Sequence, residues 1–188
     1  MRLAGLDPSL SNLGMAKGEL LFEGSLPRGF DLTHLQLAQS MSDTKTQKVV
    51  RKNSVDLERA KTLYTALHDF IADVDMVMVE IPVGSQSARA MASYGICIGI
   101  LSSIQKPLIQ VTPNEVKLAA CSTKTATKQM MIDWATNTFP DAPWLTKKQH
   151  GEVSYVSKNE HLADALAAIV AGVQTDTFKQ LLAFRGTL

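Results

Sequence analysis

Hydrophobic and polar positions change period several times along the chain. From Arg2 to Leu6 small and large apolar residues alternate, and the run stops at Asp7-Pro8-Ser9, a turn signal. Leu13 to Phe22 is a second strand-like stretch, interrupted by Gly14 and Gly18 and close enough to the first to pair with it as a hairpin. Residues 24–40 are ambiguous in pattern and admit a third strand after Pro27 with polar tails. Residues 41–54 are polar and basic and predict a loop. Asn53 and Ser54 then offer an N-cap for a helix reaching to about Ala72, whose Leu57, Ala60, Leu63, Tyr64, Leu67, Phe70 and Ile71 recur at spacings of three and four.

Met76 to Val79 is a short continuous apolar run ending at Glu80, the pattern of a strand buried on both faces. Ser85 to Ser103 is poor in charge and predicts a helix that is either core or partner-facing, with Gly95 and Gly99 permitting another backbone to approach. Pro107 to Val111 predicts a further strand, 113–120 a turn or two of helix, and Thr125 to Thr138 a longer one. Residues 139–157, with Pro140, Pro143 and Gly151, predict an exposed loop. Asn159 can cap a last long helix, Glu160 to Val173, and Thr177 to Phe184 a short amphipathic one. Strands first, then strand and helix in alternation, describe an α/β protein with a mixed sheet flanked by helices.

Composition narrows the class. The chain has 188 residues, 45% apolar and 20% charged, which is ordinary for a globular protein and sets one domain over 1–188 as the expectation. Cys97 and Cys121 sit in no metal-binding spacing and fit a reducing, cytoplasmic setting. A charge arrives too early for a secretory leader, and the longest nearly uncharged run, Ala90 to Gln105, falls short of a membrane span. Formal net charge is +1, which argues against coating nucleic acid by bulk charge. The distribution is uneven, however. Lys45, Lys48, Arg51 and Lys52 fall in a stretch without acids, and so do Lys117, Lys124 and Lys128. Either cluster is a solvated surface or a phosphate-binding patch.

Four residues stand out by position. Asp7 and Glu80 end apolar strands, while His161 and Asp164 lie three apart on an otherwise apolar helix and so share a face. A single acid at a strand end is commonplace. Two such acids on neighbouring strands, spaced ~4.8 Å apart, repel each other unless a cation lies between them. Hard oxygen ligands of this kind suit Mg²⁺ or Mn²⁺, and a pair of such ions serves phosphodiester hydrolysis. His161 would be a ligand or a proton relay.

These residues carry a family resemblance. Leu6-Asp7-Pro8-Ser9 with Gly14, then Val79-Glu80, Val116-Lys117, and His161-Leu162-Ala163-Asp164-Ala165-Leu166-Ala167 resemble, in order, the motifs of RuvC-type Holliday junction resolvases. The resemblance implies an RNase H-like mixed five-stranded sheet and a homodimeric endonuclease of branched DNA, chiefly four-way junctions, with two Mg²⁺ (or Mn²⁺) ions per site. Asp7, Glu80, His161 and Asp164 match the metal-ligand positions, and Lys117 and Lys128 match lysines near the scissile phosphate. The dimer interface would fall near residues 85–103. The stretch Ile81-Pro82-Val83-Gly84-Ser85 lacks the aromatic residue that many members carry there, which implies relaxed junction selectivity. Two other readings remain open: an ATP-binding phosphotransferase of the actin-like architecture, with Asp7 to Gly14 as its phosphate turn, and a non-catalytic nucleic-acid-binding protein on the same fold.

Overall fold

A computed structural model describes residues 1–24, 26–40, 52–149 and 151–185. The expected hairpin forms: β1 (Arg2–Pro8) pairs antiparallel with β2 (Asn12–Glu23), and β2 with β3 (Leu26–Gln39). The third strand is thus the correct reading of 24–40. Its signal is weak because β3 is an edge strand and most of its side chains face water. The chain returns through α1 (Lys52–Ile71) to β4 (Met76–Glu80), then through α2 (Ala88–Leu101) to β5 (Leu108–Val111). Both strands run parallel to β1, which gives a mixed five-stranded sheet in the order β3-β2-β1-β4-β5.

Successive strand residues face opposite ways, so each strand serves two cores. Ala4, Leu6, Val77 and Val79 meet Leu63, Leu67, Phe70 and Leu101 of α1 and α2. Leu3, Met76 and Met78 meet the opposite layer, made of α3 (Pro113–Cys121), α4 (Lys128–Thr138), α5 (Asn159–Gln174) and α6 (Asp176–Arg185). Helix α5 lies unusually close to the sheet. A Cβ on Gly5 would come within 2.0 Å of the Ala165 carbonyl oxygen, so only glycine fits there.

Three local expectations need correction. Asn53 and Ser54 lie inside the first turn of α1 and do not precede it. Residues 139–157 are not all loop, because β6 (Thr146–Gln149) and β7 (Glu152–Tyr155) form a separate two-stranded ribbon. Each strand is only four residues long; β6 is polar throughout, and the alternation of β7 is confined to the exposed Val153 and Tyr155, too short a signal beside Pro143 and Gly151 to mark a strand. Asn159 does not cap α5; it is fully buried and grips the backbone of Leu145, accepting from its N–H (2.9 Å) and donating to its carbonyl (2.7 Å). Lys45, Lys48 and Arg51 lie outside the described residues, and Lys52 is the first residue of α1. Among the described residues, no helix is long and apolar enough to cross a membrane.

Candidate active site

The period of two along the parallel strands decides where the acids point. Leu3 and Gly5 face the α5 layer, so Asp7 does too; Met76 and Met78 face it, so Glu80 does too. The β1–β4 register pairs Leu3 with Met76 and Leu6 with Val79, and its continuation sets Asp7 beside Glu80. Gly14, directly across β2 from Asp7, completes the arrangement. A Cβ on Gly14 would lie 2.0 Å from the His161 carbonyl oxygen. Its absence lets the first turn of α5 rest on the sheet, where His161 Nδ1 meets Asp7 Oδ2 at 2.6 Å. Both side chains are mostly buried, 18% and 15% exposed.

The electrostatics show how closely the four residues are joined. Burial first, then the charges of Asp7 and Asp164, push the Glu80 carboxyl up to about 8 against the pull of Lys117. Burial likewise pushes Asp164 up to about 7, reinforced by Asp7 and Glu160 and opposed by His161 and Lys117. Burial disfavours charge on His161, yet the Asp7 hydrogen bond and the charges of Asp7, Glu160 and Asp164 prevail and hold its pKa above the usual value. Carboxyls crowded into a desolvated cleft hold protons that free carboxyls would lose. The four positions read from the sequence are brought together.

Sequence reasoning missed Glu160. One of its oxygens, Oε1, accepts from Lys128 Nζ at 2.8 Å and stands 3.8 Å from His161 Nε2. The other, Oε2, is buried and has no hydrogen-bond partner among the described residues. Glu160 reads in sequence as an ordinary first-turn helix acid; its spacing of four from Asp164 was the available signal. The same contact places Lys128 at the edge of the cluster, exposed along its side chain but tethered by its head. Lys117, on α3, is half-buried and close enough for its charge to act on Glu80 and Asp164. Lys124 is exposed in the connection between α3 and α4.

A hard divalent cation suits this donor set. The side chains offer carboxylate oxygens, a cation would relieve their mutual repulsion, and among the described residues nothing donates to the buried Glu160 Oε2. The side chains do not, however, form a closed cage. Among the described residues, no group of three His, Cys, Asp or Glu side chains is drawn tightly enough to hold an ion as it stands. Asp7 instead gives one oxygen to His161.

No family model matches the chain, and no curated protein matches it in sequence. Solved structures do resemble it. T. thermophilus RuvC in complex with a Holliday junction substrate superposes with a TM-score of 0.61 at 18% identity, covering 97% of this chain and 96% of that one. Thermus thermophilus RuvC alone gives 0.60 at 19% identity, covering 97% of each chain. The yeast mitochondrial Holliday junction resolvase Ydc2 gives 0.54 at 11% identity, covering 99% of this chain and 86% of that one. Over nearly its whole length, with its acids at the strand ends and its His161–Asp164 helix packed across them, the chain has the RNase H-like fold of the RuvC-type resolvases.

Proposed function

We propose that the protein is a divalent-metal-dependent endonuclease that cuts branched DNA, chiefly four-way junctions, as a homodimer. The observation that carries this reading is the convergence of Asp7, Glu80, His161 and Asp164 in one desolvated cleft at the strand ends. The likeness of the whole fold to proteins solved with Holliday junction DNA supports the substrate.

Asp7, Glu80 and Asp164 would hold Mg²⁺ or Mn²⁺, two ions per site, with Glu160 at the margin. Bound there, such ions supply an activated water and stabilise the leaving oxygen. The chain's own groups do the rest. Asp7 engages His161 Nδ1, and among the described residues no hydrogen bond holds Nε2, so Nε2 is the atom that would take or return a proton. Lys117 supplies positive charge beside Glu80 and Asp164 and would meet the phosphate next to the scissile bond. Lys128 would leave Glu160 for a phosphate. Lys124 and the basic stretch Lys45, Lys48, Arg51 and Lys52 would track the DNA backbone, with binding that weakens steeply with salt.

A four-way junction presents two equivalent strands, and a two-fold dimer offers two equivalent sites. The surface of α1 and α2 supports that assembly. An open groove of about 380 Å³ is lined by Ala60, Tyr64, Ile96, Gly99 and Ile100 together with polar Lys61, Thr65 and Ser103, and a Cβ on Gly95 or Gly99 would meet nothing within 4 Å among the described residues. Arg89 holds the two helices together by bonding both oxygens of buried Asp56, Nη2 to Oδ1 at 2.7 Å.

The test is cleavage of labelled four-way, fork, flap and linear DNAs with and without Mg²⁺ or Mn²⁺. Metal-dependent nicks near the branch point, absent from Asp7→Asn, are expected. Undiminished cutting by that variant, or none by the wild-type chain on any branched DNA, overturns the reading.

A further inference from the structure

The β6–β7 ribbon belongs to neither core. Thr146 pairs with Tyr155 and Lys148 with Val153, so these four side chains share one face, while Lys147 and Ser154 share the other. Val153 is 68% exposed and Tyr155 is 45% exposed, and neither joins the packed interior. Lys147, Lys148 and Lys158 are also exposed. Among the described residues none of these three lysines enters an ion pair, in contrast to Lys128, which is held by Glu160. Glu152 is the only acid on the ribbon. A two-stranded ribbon is marginal by itself, so apolar side chains kept wet on such an element are unexplained by folding.

The ribbon is nevertheless not loose at its root. Val156 N–H donates to the Leu145 carbonyl at 3.1 Å, joining the two strands where they leave the body. Asn159, with no exposed surface, holds the same Leu145 by both its N–H and its carbonyl. Asn159 stands two residues before His161, so one buried amide ties the ribbon's base to the first turn of the helix that carries the active-site histidine. At the tip Gly151 takes a φ of +87°, which lets the chain reverse tightly.

We propose that this ribbon is a DNA-contacting arm, resting on the function proposed above, which extends the active-site cleft along the bound nucleic acid. Lys147, Lys148 and Lys158 neutralise phosphates, and the face bearing Tyr155 and Val153 packs on bases or sugars that a branch point leaves unstacked. The occupant follows from chemistry. Unpaired lysines interleaved with an exposed aromatic suit a polyanion that also carries flat apolar surfaces. A two-stranded ribbon also fits the width of a duplex major groove. The rigid root keeps this surface in register with the cleft, so DNA leaving the cleft meets the arm without a search.

The experiment uses the full chain without divalent metal and measures binding to a labelled four-way junction and to a linear duplex over a salt series. The variants are Lys147→Ala/Lys148→Ala/Lys158→Ala and, separately, Tyr155→Ala, with circular dichroism confirming the fold. The triple variant should weaken junction binding at least about tenfold at low salt. It should also flatten the log–log salt slope by roughly 0.9 for each duplex phosphate that is no longer neutralised. Tyr155→Ala should weaken junction binding about tenfold, weaken linear duplex binding less, and leave the salt slope as it was. Binding and salt slopes equal to wild type in both variants overturn the arm. Cleavage is scored separately with metal. If the wild-type chain binds but never nicks DNA while these variants lose binding, the arm stands and the nuclease reading falls. If the wild-type chain binds no DNA, both fall.

Discussion

On one face of the sheet, α1 and α2 pack through Leu63, Leu67, Phe70, Ile100 and Leu101, large side chains against Leu6, Val77 and Val79. On the other, α5 comes down on the sheet through its backbone, the Ala165 carbonyl over Gly5 and the His161 carbonyl over Gly14, with Ala165 fully buried. The difference is one of distance. Bulky side chains hold a helix away from a sheet and yield apolar burial. Glycine and alanine draw the backbones together and let short side chains, Asp7, His161 and Asp164, reach one another in a cleft shielded from water. Titration follows the same division. The α1–α2 side buries Cys97, whose thiol burial pushes up to about 11, far from reactivity at neutral pH. The α5 side holds carboxyls raised to about 7 and about 8. One face supplies stability, and the other gives some of it up to keep like charges close.

The sharpest way to break this division is to neutralise charges on the α5 side. Glu80→Gln or Asp164→Asn should cut DNA nicking by ~10²- to 10³-fold or more, the loss typical when charge stabilisation at a reacting centre is removed. Junction binding without metal should persist, and the melting temperature should hold or rise because repulsion is relieved. A variant that nicks DNA at the wild-type rate removes its residue from the site.

Packing changes come next. Leu67→Ala, on the other face, should cost ~2–5 kcal/mol by leaving a cavity at a fully buried position, with little change in divalent-cation affinity of the folded protein. Gly14→Ala should cost about 1–3 kcal/mol, since its Cβ must displace the His161 backbone, and should weaken cation binding as well. Denaturant melts and calorimetric Mn²⁺ titrations distinguish the two. If Gly14→Ala binds Mn²⁺ as wild type does, the close approach of α5 is not what builds the cleft.

Most of this plan could be read from the chain, and its gaps have physical causes. Asp7 and Glu80 were legible because alternation along buried strands fixes which face a terminal acid takes, and His161 and Asp164 because helical spacing fixes a shared face. The ribbon was read as loop and β3 left open, for a related reason: strands of four residues, or an edge strand whose alternation is broken between Leu32 and Leu35, carry too short a pattern to stand out. Asn159 eludes a sequence reading because a capping asparagine and a buried one look alike there; only its two bonds to Leu145 separate them. Glu160 eludes it because acids favour first turns anyway. Lys45, Lys48 and Arg51 fall outside the described residues, so their part in binding stays a proposal.

A third test uses protons. Glu80 has an ordinary value of 4.5 and a folded value of about 8, and Asp164 is raised from 3.8 to about 7. Between these limits the folded chain keeps protons that the unfolded chain has lost, so protons favour folding and stability must fall as pH rises from about 3.8 to about 8. His161 acts in the same direction: its raised pKa gives stability below the ordinary 6.5 that is lost as pH rises through the folded value. Without divalent metal the melting temperature should decline across this window. Millimolar Mg²⁺ should flatten the decline by occupying the place of the protons. A profile that is flat without metal, or unmoved by it, would separate these carboxyls from cation binding.

The smallest expected effect concerns how each layer fixes its helices. On the α5 side, α3 presents Lys117 from a helix started by a reciprocal pair: Thr112 Oγ1 accepts from the Glu115 N–H, and Glu115 Oε2 accepts from the Thr112 N–H at 2.7 Å. On the other side α2 has one long cap bond, Ala90 N–H to Ser87 Oγ at 3.4 Å. Glu115→Ala should therefore cost about 0.5–1 kcal/mol, and Ser87→Ala less. The backbone and side-chain bonds from Thr112 hold the Glu115 carboxyl below its usual range, so its contribution is complete at neutral pH and fades as pH falls through that lowered value. A wild-type-minus-variant stability difference measured from pH 7 downward should thus shrink for Glu115→Ala and stay level for Ser87→Ala. Because Lys117 rides on α3 next to Glu80, the same substitution should also raise the DNA concentration needed for half-maximal nicking. A shift of equal size from Ser87→Ala would mean that the two faces do not divide their work in this way.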